Sequence, residues 1–420
     1  MPGATPVESL WHHLNFRRLW IGETVSQFGS AVTAVALPLT AILVLKASTL
    51  EVGLLATFTS AAWLLVGLPS GAWVDRMRLD LVLVVNDLIR LIALGSVPVA
   101  YAFGGLTIGQ LYAVGLITSA STVFFDVAYQ AYLPQLVGPE ALVSGNAQLQ
   151  AGESVAQVAA PALAGTLIEL LTAPYAILVD AASFLWSAIW VGRITVRSPK
   201  PERKADRHLV REVKEGLRFV LGNRILRSIA LCTSVSNLCS SMIAAVIYIL
   251  MARNLHLSAG WIGVLNALPA LGGIVGSLLA SRLARRFGQG PTIVASAFLA
   301  IAPEFVLPFV QHNWSLGLMV LASTIGWASV VVYNVTQVSF RQRLCPPELM
   351  GRMTATVRFL VWGTMPIGAL IGGLLGSTVG VRTTILIAVL IGLLAPITVA
   401  LSPLRRMREL PDQVGSQVTT

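Results

Sequence analysis

The sequence predicts an all-α membrane protein: twelve transmembrane helices arranged as two six-helix parallel repeats. Composition, the length of the apolar runs and a repeat at half-chain spacing lead to that expectation. Of the 420 residues, 55% are hydrophobic and 11% are charged; soluble domains typically carry roughly 25% charged residues. With 36 glycines and a mean hydropathy of +0.76, the polar atoms cannot cover a water-exposed surface. The apolar runs are about 20 residues long, the length of a spanning helix, whereas barrel strands would alternate over about 10.

Along the chain, the first six spans are expected at 19–45, 52–74, 81–103, 106–128, 147–171 and 175–191. The second six are expected at 229–251, 261–284, 291–310, 316–339, 354–379 and 383–401. Basic residues orient them, because cytoplasmic loops are enriched in Lys and Arg. Arg17 and Arg18 precede the first span, Arg76 and Arg78 follow the second, and eleven more lie from Arg193 to Arg227. Arg282, Arg285 and Arg286 follow the eighth span; Arg341, Arg343 and Arg352 follow the tenth; Arg405, Arg406 and Arg408 follow the twelfth. Lys46, Arg253 and Arg382 fall on the other side, and Arg90 and Arg358 fall within spans. Both termini are therefore expected in the cytoplasm, with the chain in the inner membrane of the cell. The net charge of +10 reflects topology and attraction to anionic lipid, and no nucleic-acid partner is expected.

Four regions follow: a six-helix bundle over 1–192, a cytoplasmic linker over 193–227, a second bundle over 228–404 and a tail over 405–420. The linker opens as an extended segment at Pro199 and Pro201. Its second part carries Leu209, Val213, Leu217 and Val220 at helical spacing among Arg211, Lys214 and Arg218, which predicts an amphipathic helix on the cytoplasmic face. The two bundles resemble each other. At an offset of 210, Thr24, Ser26, Gln27 and Ser30 align with Ser234, Ser236, Asn237 and Ser240, and Gly53 aligns with Gly263. At an offset of 208, Leu136, Pro139, Glu140 and Leu142 align with Leu344, Pro347, Glu348 and Met350. Parallel repeats of six spans are a build of alternating-access transporters.

The same arithmetic removes several enzyme classes. None of the four lysines, Lys46, Lys200, Lys204 and Lys214, follows the glycine that a Walker-type phosphate loop needs. The five histidines fall in tails or loops, leaving no pair for haem or zinc inside the membrane. No cofactor is expected, and no enzyme. Cys232 and Cys239 lie about 10 Å apart along one predicted helix, beyond disulfide reach, and read as small buried hydrophobes. The first segment has no short apolar core with a small-residue cleavage site, so no signal peptide is expected.

Several motifs carry a resemblance. The run Gly71-Ala-Trp-Val-Asp75-Arg76-Met-Arg78 looks like the loop signature of the major facilitator superfamily. A divergent copy, Ser281-Arg-Leu-Ala-Arg285-Arg286, follows the eighth span but lacks the acid. Phe124-Phe125-Asp126, Leu133-Pro134-Gln135-Leu136-Val137, Asp180-Ala-Ala-Ser183-Phe184, Pro347-Glu348 and Gly351-Arg352 resemble the drug:proton antiporter branch, which includes macrolide-efflux proteins and the enterobactin exporter. The Gly-rich antiporter pattern of the fifth span is only half present: Ala147, Ala156, Ala160, Pro161, Ala164 and Gly165 keep small residues but replace most of the glycines. Small residues and a proline bend suit a seam against another helix as well as an antiport-specific role.

The resemblance implies a cytoplasmic gate at Gly71, Asp75, Arg76, Arg78, Gly351 and Arg352. Asp75, at a helix end, can accept bonds from the free N–H groups that start the eleventh span near Gly351. Arg76 and Arg78 can pair with acids such as Asp126 or Glu140. Within the spans, ionisable groups are the better clues, because each costs at least ~2.5–3.5 kcal/mol to insert. Glu23 shares a face with Gln27 and Ser30; Asp126 and Gln130 lie four apart; Glu153, Asp180 and Glu304 stand singly; Asp87 and Arg90 can neutralise each other three apart. The proton-coupling candidates are Glu23, Asp126, Glu153 and Asp180. The substrate-cavity candidates are Gln27, Ser30, Tyr129, Gln130, Asn237, Glu304 and Arg358, with aromatics such as Trp63, Tyr248, Trp327 and Tyr333.

The function so implied is secondary active export of amphipathic small molecules (drug, antibiotic, siderophore or other secondary metabolite) by proton antiport. Its partners are the substrate, protons and the lipid bilayer, with the chain acting as a monomer. A proton-linked importer or a lipid transporter is the alternative on the same fold. A membrane-embedded enzyme or receptor is disfavoured by the scattered acids, the missing ligand pairs and the absence of a loop long enough for a soluble module.

Overall fold

In the computed structural model, residues 13–198, 209–346 and 349–407 are described. Pro199, Pro201, His12, His208, Pro347, Glu348 and the tail from 408 lie outside them, as do the side chains of Glu140, Leu209, Val213 and Gly351.

Lipid offers no hydrogen-bond partner, so a spanning backbone must satisfy itself, and every expected span folds as a helix. In the first repeat these are α1 Leu14–Leu39 with a π turn at Thr40–Val44, α2 Thr49–Leu65 continued by Gly67–Val74, and α3 Leu79–Ala102. They are followed by α4 Ile108–Gly138, α5 Ser144–Leu171 and α6 Ala173–Gly192. The linker supplies α7 Leu209–Gly222. The second repeat begins with α8 Arg224–Ile249, with its π turn at Leu250–Asn254, and α9, formed by Ala259–Ala267 and Ala270–Phe287. α10 runs Gln289–Ile301 into a 3-10 stretch at Ala302–Phe309, and α11 spans Ser315–Leu344. α12 joins Met350–Trp362 to Thr364–Thr378, and α13 joins Val381–Gly392 to Ala395–Ala400.

Eleven of these are long and apolar enough to cross a membrane; the twelfth, α2, is cut to a 17-residue first stretch by the break at Val66. The helices outrun their apolar windows. α4 reaches Gly138 and α11 reaches Leu344, because backbone bonding continues where the side chains turn polar. α4 stops at Gly138, whose φ of 75° is left-handed and suits a residue without Cβ.

The repeat seen in the sequence recurs in the backbone. The π turn at Thr40–Val44 and that at Leu250–Asn254 stand 210 residues apart, and so do Lys46 and His256, both at φ 53°. Ala47 and Leu257 close equivalent turns, donating to the carbonyls of Ala41 and Met251. At the other offset, Thr172 (φ 80°, ψ 155°) matches Gly380 (φ 89°, ψ 156°) at the turn into the sixth helix of each repeat. That region is essentially reserved for glycine, and a β-branched residue held there costs on the order of 1–3 kcal/mol. Thr172→Gly is expected to raise the thermal-unfolding midpoint in detergent, by about 1 kcal/mol or more of stability. An unchanged or lowered midpoint would show that the threonine is not strained.

By contacts the chain forms two units. One holds residues 1–47, 65–205 and 258–264; the other holds 48–64, 206–257 and 265–420. Each unit thus includes a short stretch from the other repeat, and two related glycine seams explain why. In the second unit, a Cβ on Gly53 of α2 would lie 2.2 Å from the Cα of Gly373 in α12. In the first unit, a Cβ on Gly263 of α9 would lie 2.4 Å from the Pro161 carbonyl and 2.9 Å from the Cα of Gly165 in α5. Gly53 and Gly263 are 210 apart; Gly165 and Gly373 are 208 apart. The small-residue pattern of the fifth span thus serves close packing: Ala156, Ala160 and Ala164 are buried and Gly165 meets α9 backbone to backbone. The start of each partner helix is capped accordingly. Ser48 and Glu51 cap α2 reciprocally, at 2.6 and 3.3 Å. At the equivalent start of α9, Ser258 remains but the acid is Glu169 from α5, which accepts the Gly260 N–H at 2.8 Å.

The linker helix α7 packs on α12 and α8. Gly216 abuts Arg352 and Thr356, Val220 is fully buried with Leu226, Met353, Val357 and Val361, and Glu215 pairs with Arg352 at 2.5 Å. At Val220 its apolar face is covered by protein.

Candidate functional site

In the first unit the ionisable residues of four helices converge on Arg90. α1 packs closely on α6 because Gly22 and Gly29, seven apart on one face, admit Ser187, Ser183 and Asp180; a Cβ on Gly29 would lie 2.6 Å from the Asp180 carboxyl. Asp180 is 1% exposed and takes the Ser183 hydroxyl at 3.1 Å, with the Ser30 hydroxyl at 3.5 Å. On α3, Asp87, fully buried, pairs with Arg90 at 2.6 Å, the neutralising pair that their spacing suggests. The Arg90 guanidinium is sandwiched between Phe125 of α4, at 4.4 Å, and Phe184 of α6, at 4.2 Å. Aromatic faces attract a cation most when it is desolvated. The Phe-Phe-Asp and Asp-Ala-Ala-Ser-Phe motifs thus clamp one arginine, and sequence reading missed that Arg90 is the hub. Its signal was present: it is one of only two basic residues inside the spans.

Glu23 of α1 completes the cluster. Its Oε1 accepts the Gln27 amide at 2.6 Å, while its Oε2 is buried without a hydrogen-bond partner. Arg90, Asp87 and Asp126 all act on it electrostatically, and Arg90 also acts on Asp180. Glu23 does not pair with Arg18, whose guanidinium instead donates to Asn15 and to the Arg193 carbonyl. Tyr129 stacks on Phe125 with centroids 6.2 Å apart and feels Glu23, Asp126 and Glu153. Glu153 itself, on α5, is held by Gln150 and Gln157 of its own helix, each at 3.0 Å. Gln130 is exposed at the next turn of α4. The structure thus brings Glu23, Asp126, Asp180, Gln27, Ser30 and Tyr129 around the Asp87–Arg90 pair.

At the helix ends, Asp75 terminates the second stretch of α2, with Arg76 exposed and open space around Gly71. Arg78 does not reach Asp126; it pairs with Asp80 at 2.8 Å, an acid two residues away that Arg197 also approaches at 3.3 Å. The nearer partner wins because the chain already holds it in place. Gly351 lies in the first turn of α12, and Arg352 is engaged by Glu215.

The second unit carries the remaining candidates. The Asn237 amide donates to the Val361 carbonyl at 3.2 Å, and Ser234 to that of Leu360 at 3.0 Å, satisfying backbone freed where α12 breaks at Gly363. Glu304, in the 3-10 stretch of α10, lies near Gly326 and acts on Cys239, its Oε2 buried without a partner. Arg358 lies 5.8 Å from the Trp362 ring, which meets Trp63 edge-on at 4.1 Å. All three cysteines are buried and outside any disulfide.

Twelve spanning helices in two six-helix repeats, with titratable groups buried inside the first unit, define a multi-pass membrane transporter of the major facilitator superfamily. Residues 5–418 match the family described as transmembrane secretion effector, and the chain belongs to it. Curated relatives include the enterobactin exporter EntS of Citrobacter koseri, 27% identical over 353 residues, covering 81% of this chain and 80% of that one. The enterobactin exporter EntS of Escherichia coli O127:H6 matches to the same extent. Among solved structures, a bacterial homologue of the iron transporter ferroportin in an inward-facing state aligns with a TM-score of 0.75 at 18% identity, covering 94% of this chain and 99% of that one. A POT family transporter in complex with 5-aminolevulinic acid aligns with a TM-score of 0.76 at 11% identity, covering 94% and 97%. At those identities the likeness concerns the fold. The family and relatives are transporters, not enzymes.

Proposed function

We propose that this protein exports amphipathic small molecules, of siderophore, antibiotic or other secondary-metabolite type, across the inner membrane in exchange for protons. The carrying observation is the carboxyl of Glu23, one oxygen bare and buried beside the Asp87–Arg90 pair. A buried charge without a partner is costly, and a proton relieves that cost; alternating access can then bring the carboxyl to Arg90 or to water in turn. Asp180 and Asp126 are the next candidates. The outward direction is supported by the relatives named as exporters. Basic-residue bias supports cytoplasmic termini, and Asp75, Arg76, Gly351 and Arg352 are proposed as the cytoplasmic gate on the strength of the loop signature.

Expression in an efflux-deficient host should reduce accumulation of at least one compound in a panel of siderophores, macrolides and related metabolites. In proteoliposomes the flux of that compound should follow an imposed pH gradient and collapse with a proton ionophore. Raised accumulation would make the protein an importer; flux that needs ATP and ignores the ionophore would end the antiport reading.

A further inference from the structure

The acids that cap α2 and α9 stand on opposite partners of their seams. α2 caps itself: Glu51 accepts the Ser48 N–H at 2.6 Å and donates its own N–H to the Ser48 hydroxyl at 3.3 Å. At the offset of 210, Ser258 is kept at the start of α9, but Trp261 stands where Glu51 would be. The acid comes from α5 instead. Glu169, exposed near the end of that helix, accepts the Gly260 N–H at 2.8 Å. Gly260 makes room for it: a Cβ there would lie 2.7 and 2.8 Å from the two carboxylate oxygens, and Leu50 holds the equivalent place in α2. At the offset of 208, Glu169 corresponds to Ser377 of α12, whose hydroxyl donates within its own helix to the Leu374 carbonyl at 2.8 Å. The seam between α5 and α9 therefore carries a charged hydrogen bond from one repeat to the other, whereas α2 carries its cap with it.

We propose that Glu169 is a latch on the extracytoplasmic side of the transporter. On the topology proposed above, α5 ends and α9 begins on that side. Residues 258–264 are the stretch of the second repeat that packs in the first unit. Alternating access moves one repeat against the other, so opening outward draws this stretch away from α5. The Glu169 carboxylate then leaves the positive end of α9 and its bond to Gly260 breaks, while α2 leaves its own seam fully capped. A negative charge stabilises a helix N-terminus only within the first turn. The closed outer side gains that stabilisation and the open one does not, so Glu169 weights the equilibrium toward the outward-closed state. The latch rests on the topology and alternating access of the export reading, not on its proton or its substrate.

The test uses full-length protein in nanodiscs, spin-labelled at Phe103→Cys and Trp314→Cys, two exposed positions at the ends of α3 and α11 that face outward on the proposed topology. The native cysteines are buried, which leaves the label to the introduced ones. Distances between the labels report how far the outer side is open. Glu169→Ala should raise the ratio of outward-open to outward-closed protein about two- to fivefold, the worth of an acid at an exposed helix N-terminus. Glu51→Ala removes a cap of the same kind and should leave the ratio unchanged. The double variant Glu169→Ala/Trp261→Glu gives α9 a cap of its own, on the pattern of α2. It should recover the thermal-unfolding midpoint lost in Glu169→Ala and yet stay shifted outward. A ratio unmoved by Glu169→Ala, or moved equally by Glu51→Ala, overturns the latch. A wild-type ratio in the double variant overturns it too, leaving Glu169 a cap and nothing more. Should Glu169→Ala fail to fold, Glu169→Gln, which keeps the length of the side chain, carries the same comparison. No substrate or pH gradient is applied, so a protein that imports or moves no proton leaves the latch standing, and a failed latch leaves export untouched.

Discussion

Glu23→Gln is expected to abolish concentrative export while leaving substrate binding and downhill exchange in place. The amide matches the carboxyl in size, so α1 keeps its close approach to α6 through Gly22 and Gly29. What disappears is the ability to take up and release a proton at the buried oxygen that lacks a partner. One coupled proton in a gradient of about one pH unit can drive about a tenfold accumulation, since a pH unit is worth about 1.36 kcal/mol. The accumulation ratio of the variant should fall from that level to near one, measured in proteoliposomes loaded with substrate and subjected to a pH jump. A variant that still accumulates substrate with normal pH dependence would move the role to Asp180 or Asp126, which share the cluster.

The largest effect on stability is expected from Arg90→Ala. It strips the ion-pair partner from the buried Asp87 carboxyl, empties the space between Phe125 and Phe184, and leaves Glu23 and Asp180 without the cation that acts on both. Removing one member of a buried ion pair typically costs ~3–5 kcal/mol, whereas replacing both by apolar or neutral groups of similar volume is often close to neutral. The thermal-aggregation midpoint of Arg90→Ala should therefore fall well below wild type, while the double variant Asp87→Asn/Arg90→Met recovers most of it. The double variant should still fail in uphill export, because the remaining acids have lost their cation. A single variant as stable as wild type would reduce the pair to an accident of spacing. A double variant with full export would confine Arg90 to a structural role.

Much of this was legible in the residues. Hydropathy and run length set the number of helices, and the half-chain offset aligned Gly53 with Gly263, an offset that the matching turns at Lys46 and His256 then share. The Asp87–Arg90 pair follows from helical spacing alone. These are local or periodic features, and local geometry needs no knowledge of the fold. The sandwich around Arg90 was not legible, since Phe125 and Phe184 are separated from it by 35 and 94 residues and only helix packing brings them together. For Arg78 the sequence suggested distant acids such as Asp126 or Glu140, and the fold holds it on Asp80, two residues away.

By itself, then, the sequence determined the class of fold, the number of spans and their repeat, because burying backbone in lipid leaves few solutions and each is written in runs of side chains. It also marked which ionisable residues the membrane must accommodate. Which of them meet was decided by the tertiary structure alone. Glycines and alanines on α1 and α5 set how closely helices approach, and a carboxyl becomes partnered or bare according to what that approach brings within about 3 Å of it. Glu23 and Glu153 look alike in sequence; packing leaves one oxygen of the first without a partner and surrounds the second with two amides of its own helix.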